Sequence, residues 1–166
     1  MGHTDSATHT FTVHAVRTDA DTDALRTALA AYVATWHDHD PTAWPLHDQE
    51  LVSHAPQPQH TPPHGDAWVA LDDTGQPIGC AMLRRDGSDA EIEKWFVRED
   101  WRRRGVGSRL ITEAVLGART MGCWQISALV ANERVRSRAL LYQFGFVTVR
   151  SEKHPGFVRM SMVLPR

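Results

Sequence analysis

Residues 101–110 read WRRRGVGSRL, so Arg102, Arg103 and Arg104 run into Gly105-Val106-Gly107-Ser108 and then into an apolar helical pattern. Glycine lets a backbone close on a ligand. The first N–H groups of a helix have no internal partners and carry the positive end of its dipole. The combination suits an anion such as a phosphate, and arginine adds charge-assisted hydrogen bonds. A dinucleotide fingerprint would need a third glycine where Leu110 stands, and a phosphate-binding P-loop would need a lysine and a hydroxyl after its last glycine. A nucleic-acid patch would need more basic and aromatic residues nearby, and the net charge of -2 supplies no global basic field. For an isolated arginine run, a solvated turn before a helix is the commoner outcome. Here a strand ending at Val97 precedes the glycines and a helix follows them, which favours the anion cradle.

Two further groups could do chemistry. Glu91 and Glu93 stand two apart in AEIEKWFV, and strand alternation predicts them on one face with Trp95 and Val97. His37-Asp38-His39-Asp40 offers metal-ligand types, but nothing nearby completes a ligand set, so a polar helix end and no metal are expected. The two cysteines, Cys80 and Cys123, fall in apolar segments and read as small buried hydrophobes rather than a disulfide or a metal site.

The elements that must position these groups read clearly. A strand over 10–17 is followed by a helix from Ala20 to His37, capped by Thr18 or Asp19, with Leu25, Leu29, Tyr32, Val33 and Trp36 on its apolar stripe. A Pro- and His-rich region, 38–66, holds nine of the ten histidines together with the residues before it, and one short helix near 46–54. Residues 67–73 and 77–85 form a hairpin around Thr74-Gly75, and 90–97 is a third antiparallel strand. A helix over 107–121 ends at Gly122, with Leu110, Ile111, Ala114, Val115 and Ala118 buried. A strand over 124–131 places Trp124, Ile126, Ala128 and Val130 on one face, a helix over 133–144 ends at Gly145, and 146–152 with 157–164 close a hairpin. The expectation is a single α+β domain over 10–166, a mostly antiparallel sheet of six to seven strands with about four helices, behind a flexible tail at 1–9.

Val97-x-x-x-x-Arg102-x-x-Gly105-x-Gly107 resembles the Arg/Gln-x-x-Gly-x-Gly/Ala signature of the GNAT acyl-CoA-dependent N-acetyltransferases, and the element order over about 67–164 matches as well. The resemblance implies direct transfer of acetyl from acetyl-CoA to a primary amine, of a small molecule or alternatively of a protein, with a non-catalytic acyl-CoA-binding domain as the competing reading. It implies that Arg102, Arg103, Arg104, Gly105, Val106, Gly107 and Ser108 hold the CoA pyrophosphate, that Phe96 and Val97 pair with pantetheine, and that strands 90–97 and 123–131 splay apart. Asn132, Arg134 and Ser137 are further CoA contacts by position, with Arg136 and Arg138 toward the 3′-phosphate. Glu91 or Glu93 is the expected general base, its pKa raised by partial burial. The N–H of Val97 is the expected oxyanion donor. Tyr142 is the expected acid for the thiolate; counted back from Gly145 it stands one residue late, about 100° round the helix, with water as the alternative donor. Trp36, Trp44 and Trp95 are expected to wall the acceptor pocket.

No stretch approaches the ~18 apolar residues of a membrane span. A cytoplasmic bacterial protein is expected, with a GC-rich bias in which the Met-Gly-x-x-x-Ser start is not a lipidation signal, and with neither nucleic acid nor membrane as partner. A homodimer is compatible with all of this.

Overall fold

The structure, a computed structural model, describes residues 9–39, 52–149 and 156–165, with the side chains of 36–39 left out. Seven strands form one sheet in the order β1-β2-β3-β4-β5-β7-β6. They are β1 (Phe11–Ala15), β2 (Gly65–Asp72), β3 (Pro77–Asp86), β4 (Asp89–Val97), β5 (Gln125–Ala131), β6 (Val147–Val149) and β7 (Phe157–Val163). Every pairing is antiparallel except β4 with β5. Three α-helices lie wholly among the described residues: α1 (Asp19–His39), α2 (Val106–Thr120) and α3 (Val135–Phe144). The mixed sheet expected from the sequence is therefore present. Of the helix expected near 46–54, residues 52–54 are helical and the rest lies outside the described residues.

Helix α1 starts on a capping box. Thr18 Oγ1 accepts the Asp21 N–H at 3.1 Å, and Asp21 Oδ2 accepts the Thr18 N–H at 3.0 Å. The helix buries Leu25, Ala28 and Leu29 on one face of the sheet, against Val69, Cys80, Met82 and Phe96. Helix α2 buries Val106, Leu110, Ile111, Ala114 and Ala118 on the other face, against Trp68, Ile78, Leu83 and Ile92. Trp124, expected on the buried face of β5, precedes the strand and is 57% exposed. His9, expected in a free tail, packs edge-on against Trp101 at 5.7 Å.

Gly117 is what lets α2 sit this close to the sheet, because a Cβ there would meet Trp68 Cη2 at 2.8 Å and Cζ2 at 2.9 Å. Gly117→Val is expected to destabilise the fold by about 1–3 kcal/mol through overpacking. In thermal unfolding this reads as a Tm lower by roughly 3–10 °C. Leu116→Ala, at a half-exposed neighbour, should stay within about 0.5 kcal/mol of the parent.

One irregularity decides the site. On β3 and β4, Cys80 faces Phe96 while Met82 faces Glu93, so Ala81 alone opposes both Lys94 and Trp95. This is a β-bulge, and Lys94 takes a positive φ of 54° in it. The Cys80 thiol, whose pKa burial pushes up to about 12, donates to the Lys94 carbonyl at 3.4 Å. The extra residue resets the alternation. Ala90, Ile92, Trp95 and Val97 belong with the α2 face, and Phe96 with the α1 face. Glu91 and Glu93 therefore do not share a face with Trp95 and Val97, as strict alternation had led us to expect.

Candidate active site

Beyond the bulge, β4 and β5 part. Their parallel pairing runs from Asp89 with Gln125 to Ile92 with Ala128 and is not continued among the described residues. A cleft of about 710 Å³ opens there, lined by the end of β4, the loop before α2 and the start of α3. The loop is anchored by Trp101, which is 6% exposed and lies under the Arg104 guanidinium at 5.0 Å. Arg102 Nε donates to the Val97 carbonyl at 3.1 Å and ties the loop to β4. Gly105, at φ 85°, is the N-cap of α2, with no side chain capping the helix. The first turn of α2 thus presents N–H groups that the helix itself does not use. Gly107 lines the cleft, and a Cβ there would touch Leu140 and Trp95 at 3.4 Å and Val97 at 3.6 Å without clash. The Trp95 indole N–H is buried without a partner among the described residues.

The opposite face of the sheet carries a row of charges across four strands. Glu93 Oε2 lies 2.6 Å from His60 Nε2, and Glu93 Oε1 accepts from Arg84 Nε at 3.0 Å. Arg84 continues to Glu91 Oε2 at 2.7 Å. Arg159 NH1 donates to Glu91 Oε1 at 3.1 Å and to Ser127 Oγ at 3.3 Å. Burial pushes the Glu93 carboxyl up, but hydrogen bonds from His60 and Arg84 outweigh it and leave its pKa below the ordinary value. This reverses the upward shift expected from burial alone. The Arg84 guanidinium is held charged above its usual range, chiefly by its bond to Glu93.

The Acetyltransferase (GNAT) family profile matches residues 24–146, most of the chain. The chain belongs to the GNAT acetyltransferase family. An uncharacterized N-acetyltransferase of Schizosaccharomyces pombe is 26% identical over 124 residues, covering 72% of this chain and 75% of that one. A GNAT acetyltransferase structure from Staphylococcus aureus superposes with a TM-score of 0.77 at 13% identity, over 94% of this chain and all of that one. The ribosomal-protein-S18-alanine N-acetyltransferase of Escherichia coli superposes with a TM-score of 0.69 at 15% identity, over 95% and 96%. This GNAT chain is thus an acetyltransferase, of a family that uses acetyl-CoA.

The GNAT cleft brings together Phe96, Val97, Arg102, Arg103, Gly105, Gly107, Ser108, Arg134 and Ser137 from the residues expected to bind CoA. It leaves out three. Arg104 turns to Trp101, Val106 is 1% exposed in the core, and Asn132 is exposed off the cleft. Of the two arginines expected toward the 3′-phosphate, Arg136 lines the cleft and Arg138 does not, and Leu140 and Gln143 line it as well. Trp95, expected to wall the acceptor pocket, lines this cleft; Trp44 and the Trp36 side chain lie outside the described residues. Tyr142 is 50% exposed, its hydroxyl bonded to Thr148 Oγ1, and it does not line the cleft. Leu141, at the position counted from Gly145, is fully buried. Tyr142→Phe should therefore leave kcat within about twofold, where loss of a general acid would cost about 10²-fold or more; steady-state rates at pH 7–8 check this. No group of three or more His, Cys, Asp or Glu among the described residues is placed to hold a metal. The side chains of His37 to Asp40 lie outside the description. No helix among the described residues is long and apolar enough to cross a membrane.

Sequence reasoning missed His60, Arg84 and Arg159, the three partners of the glutamates. They come from a Pro-rich turn and two other strands, so no local spacing announces them. The one signal was a histidine set among prolines, Pro58-Gln59-His60-Thr61-Pro62-Pro63, in a segment stiff enough to present it.

Proposed function

We propose that this GNAT enzyme acetylates the primary amine of a zwitterionic small molecule, an amino acid or a compound built like one, by direct attack on acetyl-CoA in a ternary complex. The observation that carries the reading is the pairing of the cleft with the charge row on the other face of β4, where the two strands part. The pyrophosphate is held by the N–H groups and arginines of 102–108, and pantetheine lies along Phe96 and Val97, as an added strand would.

Glu93 is the base. It takes a proton from the acceptor's ammonium, whose ordinary pKa is about 10.4. The neutral amine attacks the thioester carbonyl, the C–N bond forms, and the oxyanion is met by the Val97 N–H. The C–S bond then breaks, the thiolate leaves with the electron pair, and the nitrogen gives its second proton to water. With no tyrosine or cysteine side chain among the described residues lining the cleft, water protonates the thiolate, whose ordinary pKa near 8.5 makes it a competent leaving group.

The charge pattern supports the acceptor class. Glu93, Arg84, Glu91 and Arg159 alternate in sign, and about a third of each arginine side chain remains exposed. A zwitterion matches such a row with its ammonium and carboxylate, whereas a polyamine would meet as much repulsion as attraction. The E. coli neighbour named for a ribosomal-protein alanine shares the fold at 15% identity, and a lone protein N-terminus would bring no carboxylate to the exposed part of Arg159.

Initial rates measured over a grid of acetyl-CoA and amine concentrations test the ternary complex. Intersecting double-reciprocal lines are expected; parallel lines would mean an acetyl-enzyme intermediate and end the direct-attack reading.

A further inference from the structure

His60 is 2% exposed, yet it is held against the acceptor face from a turn 33 residues away in sequence from Glu93. Gly65 makes that approach possible, because a Cβ there would lie 2.1 Å from the Gln59 and Leu83 carbonyl oxygens and 3.0 Å from His60 Cα. The turn over Pro58–His60 is thus pressed onto β2 and β3 where any side chain at 65 would push it off. With Glu93 ionised, His60 Nε2 carries the hydrogen of the 2.6 Å bond. Its Nδ1 is buried with no partner among the described residues, so the acceptor does not reach it. Glu93 is gripped on both oxygens, Oε2 by His60 and Oε1 by Arg84. Each oxygen keeps a second lone pair for an incoming proton.

We propose that His60 is a positioning residue for acetyl transfer: its Nε2–H clamps Glu93 Oε2 so that the carboxylate's remaining lone pairs face the acceptor amine. This rests on the reading of Glu93 as the base. The proton leaving the ammonium goes to Glu93, and His60 keeps its own. The charged and titratable groups presented around Glu93 are His60 from the turn, Arg84 from β3, Glu91 and Lys94 of β4, Arg159 from β7, and Arg26 and Tyr32 of α1. Only His60 and Arg84 bond to it directly.

The full chain carrying His60→Leu, His60→Gln or Glu93→Gln is assayed with acetyl-CoA and its best amine from about pH 3 to 9, a range that includes the acid limb of Glu93, with thermal unfolding alongside. His60→Leu should lower kcat by about tenfold to a hundredfold, the cost of a base about 1 Å out of place, and leave KM for acetyl-CoA unchanged. It should also move the acid limb of the rate profile to higher pH, because burial, which raises Glu93, then faces one fewer opposing hydrogen bond. His60→Gln, which keeps a donor of similar reach, should recover most of the rate. If the leucine variant does not fold, His60→Asn, whose amide is too short to reach Oε2, takes its place with the same expectation. A folded leucine or asparagine variant with the parent's kcat and acid limb, beside a crippled Glu93→Gln, overturns the role of His60 and leaves the base standing. Full activity of Glu93→Gln overturns the base, and the positioning role with it.

Discussion

Glu93→Gln is expected to lower kcat by about 10²–10³-fold, within the range for loss of a general base, while KM for acetyl-CoA stays near the parent value. Glutamine keeps the shape of the side chain and can still meet Arg84 or His60, so the fold should survive. It cannot take the ammonium's proton. The sign of the pH dependence follows from the site. Hydrogen bonds from His60 and Arg84 hold Glu93 below its ordinary pKa against the upward push of burial. Its titration therefore limits the rate only in acid, below the ordinary carboxylate pKa of about 4.3. From pH 6 to 9 the parent rate should stay nearly level, because over that range Glu93 is ionised and the acceptor is still the ammonium from which it takes the proton. Glu91→Gln should cost less, about tenfold or under: Glu91 is bonded to Arg84 and Arg159 and lies farther from the bulge. Steady-state kinetics of both variants, each checked for folding, separate the two glutamates. Equal losses would assign base catalysis to the pair and not to Glu93.

Gly107→Glu is expected to weaken acetyl-CoA binding by about a hundredfold or more, roughly 2.7 kcal/mol. Two like charges about 4 Å apart repel by about 4 kcal/mol at the effective dielectric of a protein surface, so a carboxylate beside the pyrophosphate suffices. The position isolates this effect. The added Cβ meets Leu140 and Trp95 at 3.4 Å and nothing closer. A glutamate in the first turn of α2 also interacts favourably with the helix dipole, so lost binding would not reflect lost fold. Gly105 would be a poorer choice, because its φ of 85° strains any side chain. Gly107→Ala should bind within a few-fold of the parent. Titration calorimetry with CoA reads both variants, and tight binding by Gly107→Glu would move the pyrophosphate away from this loop.

Much of this was legible before any coordinates. The β2–β3 hairpin, β4 and α2 follow from alternation, turn glycines and a 3.6-residue period, and they alone bring the 102–108 loop to the mouth of the parted strands. The loop that lines the cleft was readable because its residues are contiguous. What escaped was long-range or irregular. The bulge at Lys94 has no glycine or asparagine to announce it, yet it turns Trp95 into the cleft beside the 102–108 loop and separates it from the glutamates. His60, Arg84 and Arg159 reach the glutamates from sequence distances of 33, 9 and 68 residues, and a single sequence carries no trace of such pairings. Tyr142 was placed by counting along a helix, and the single-residue offset carried its hydroxyl to Thr148.

Thiol release from acetyl-CoA, followed for an α-amino acid, the matching amine without its carboxylate, a polyamine and a short peptide, shows whether the enzyme acetylates a zwitterion. Amine-dependent release is expected with the highest kcat/KM for the free amino acid, and a loss of at least tenfold when its carboxylate is removed, about 1.4 kcal/mol for one charge-assisted contact to arginine. No amine-dependent release from any of the four, or a polyamine or peptide preferred over the amino acid, would contradict the zwitterion reading.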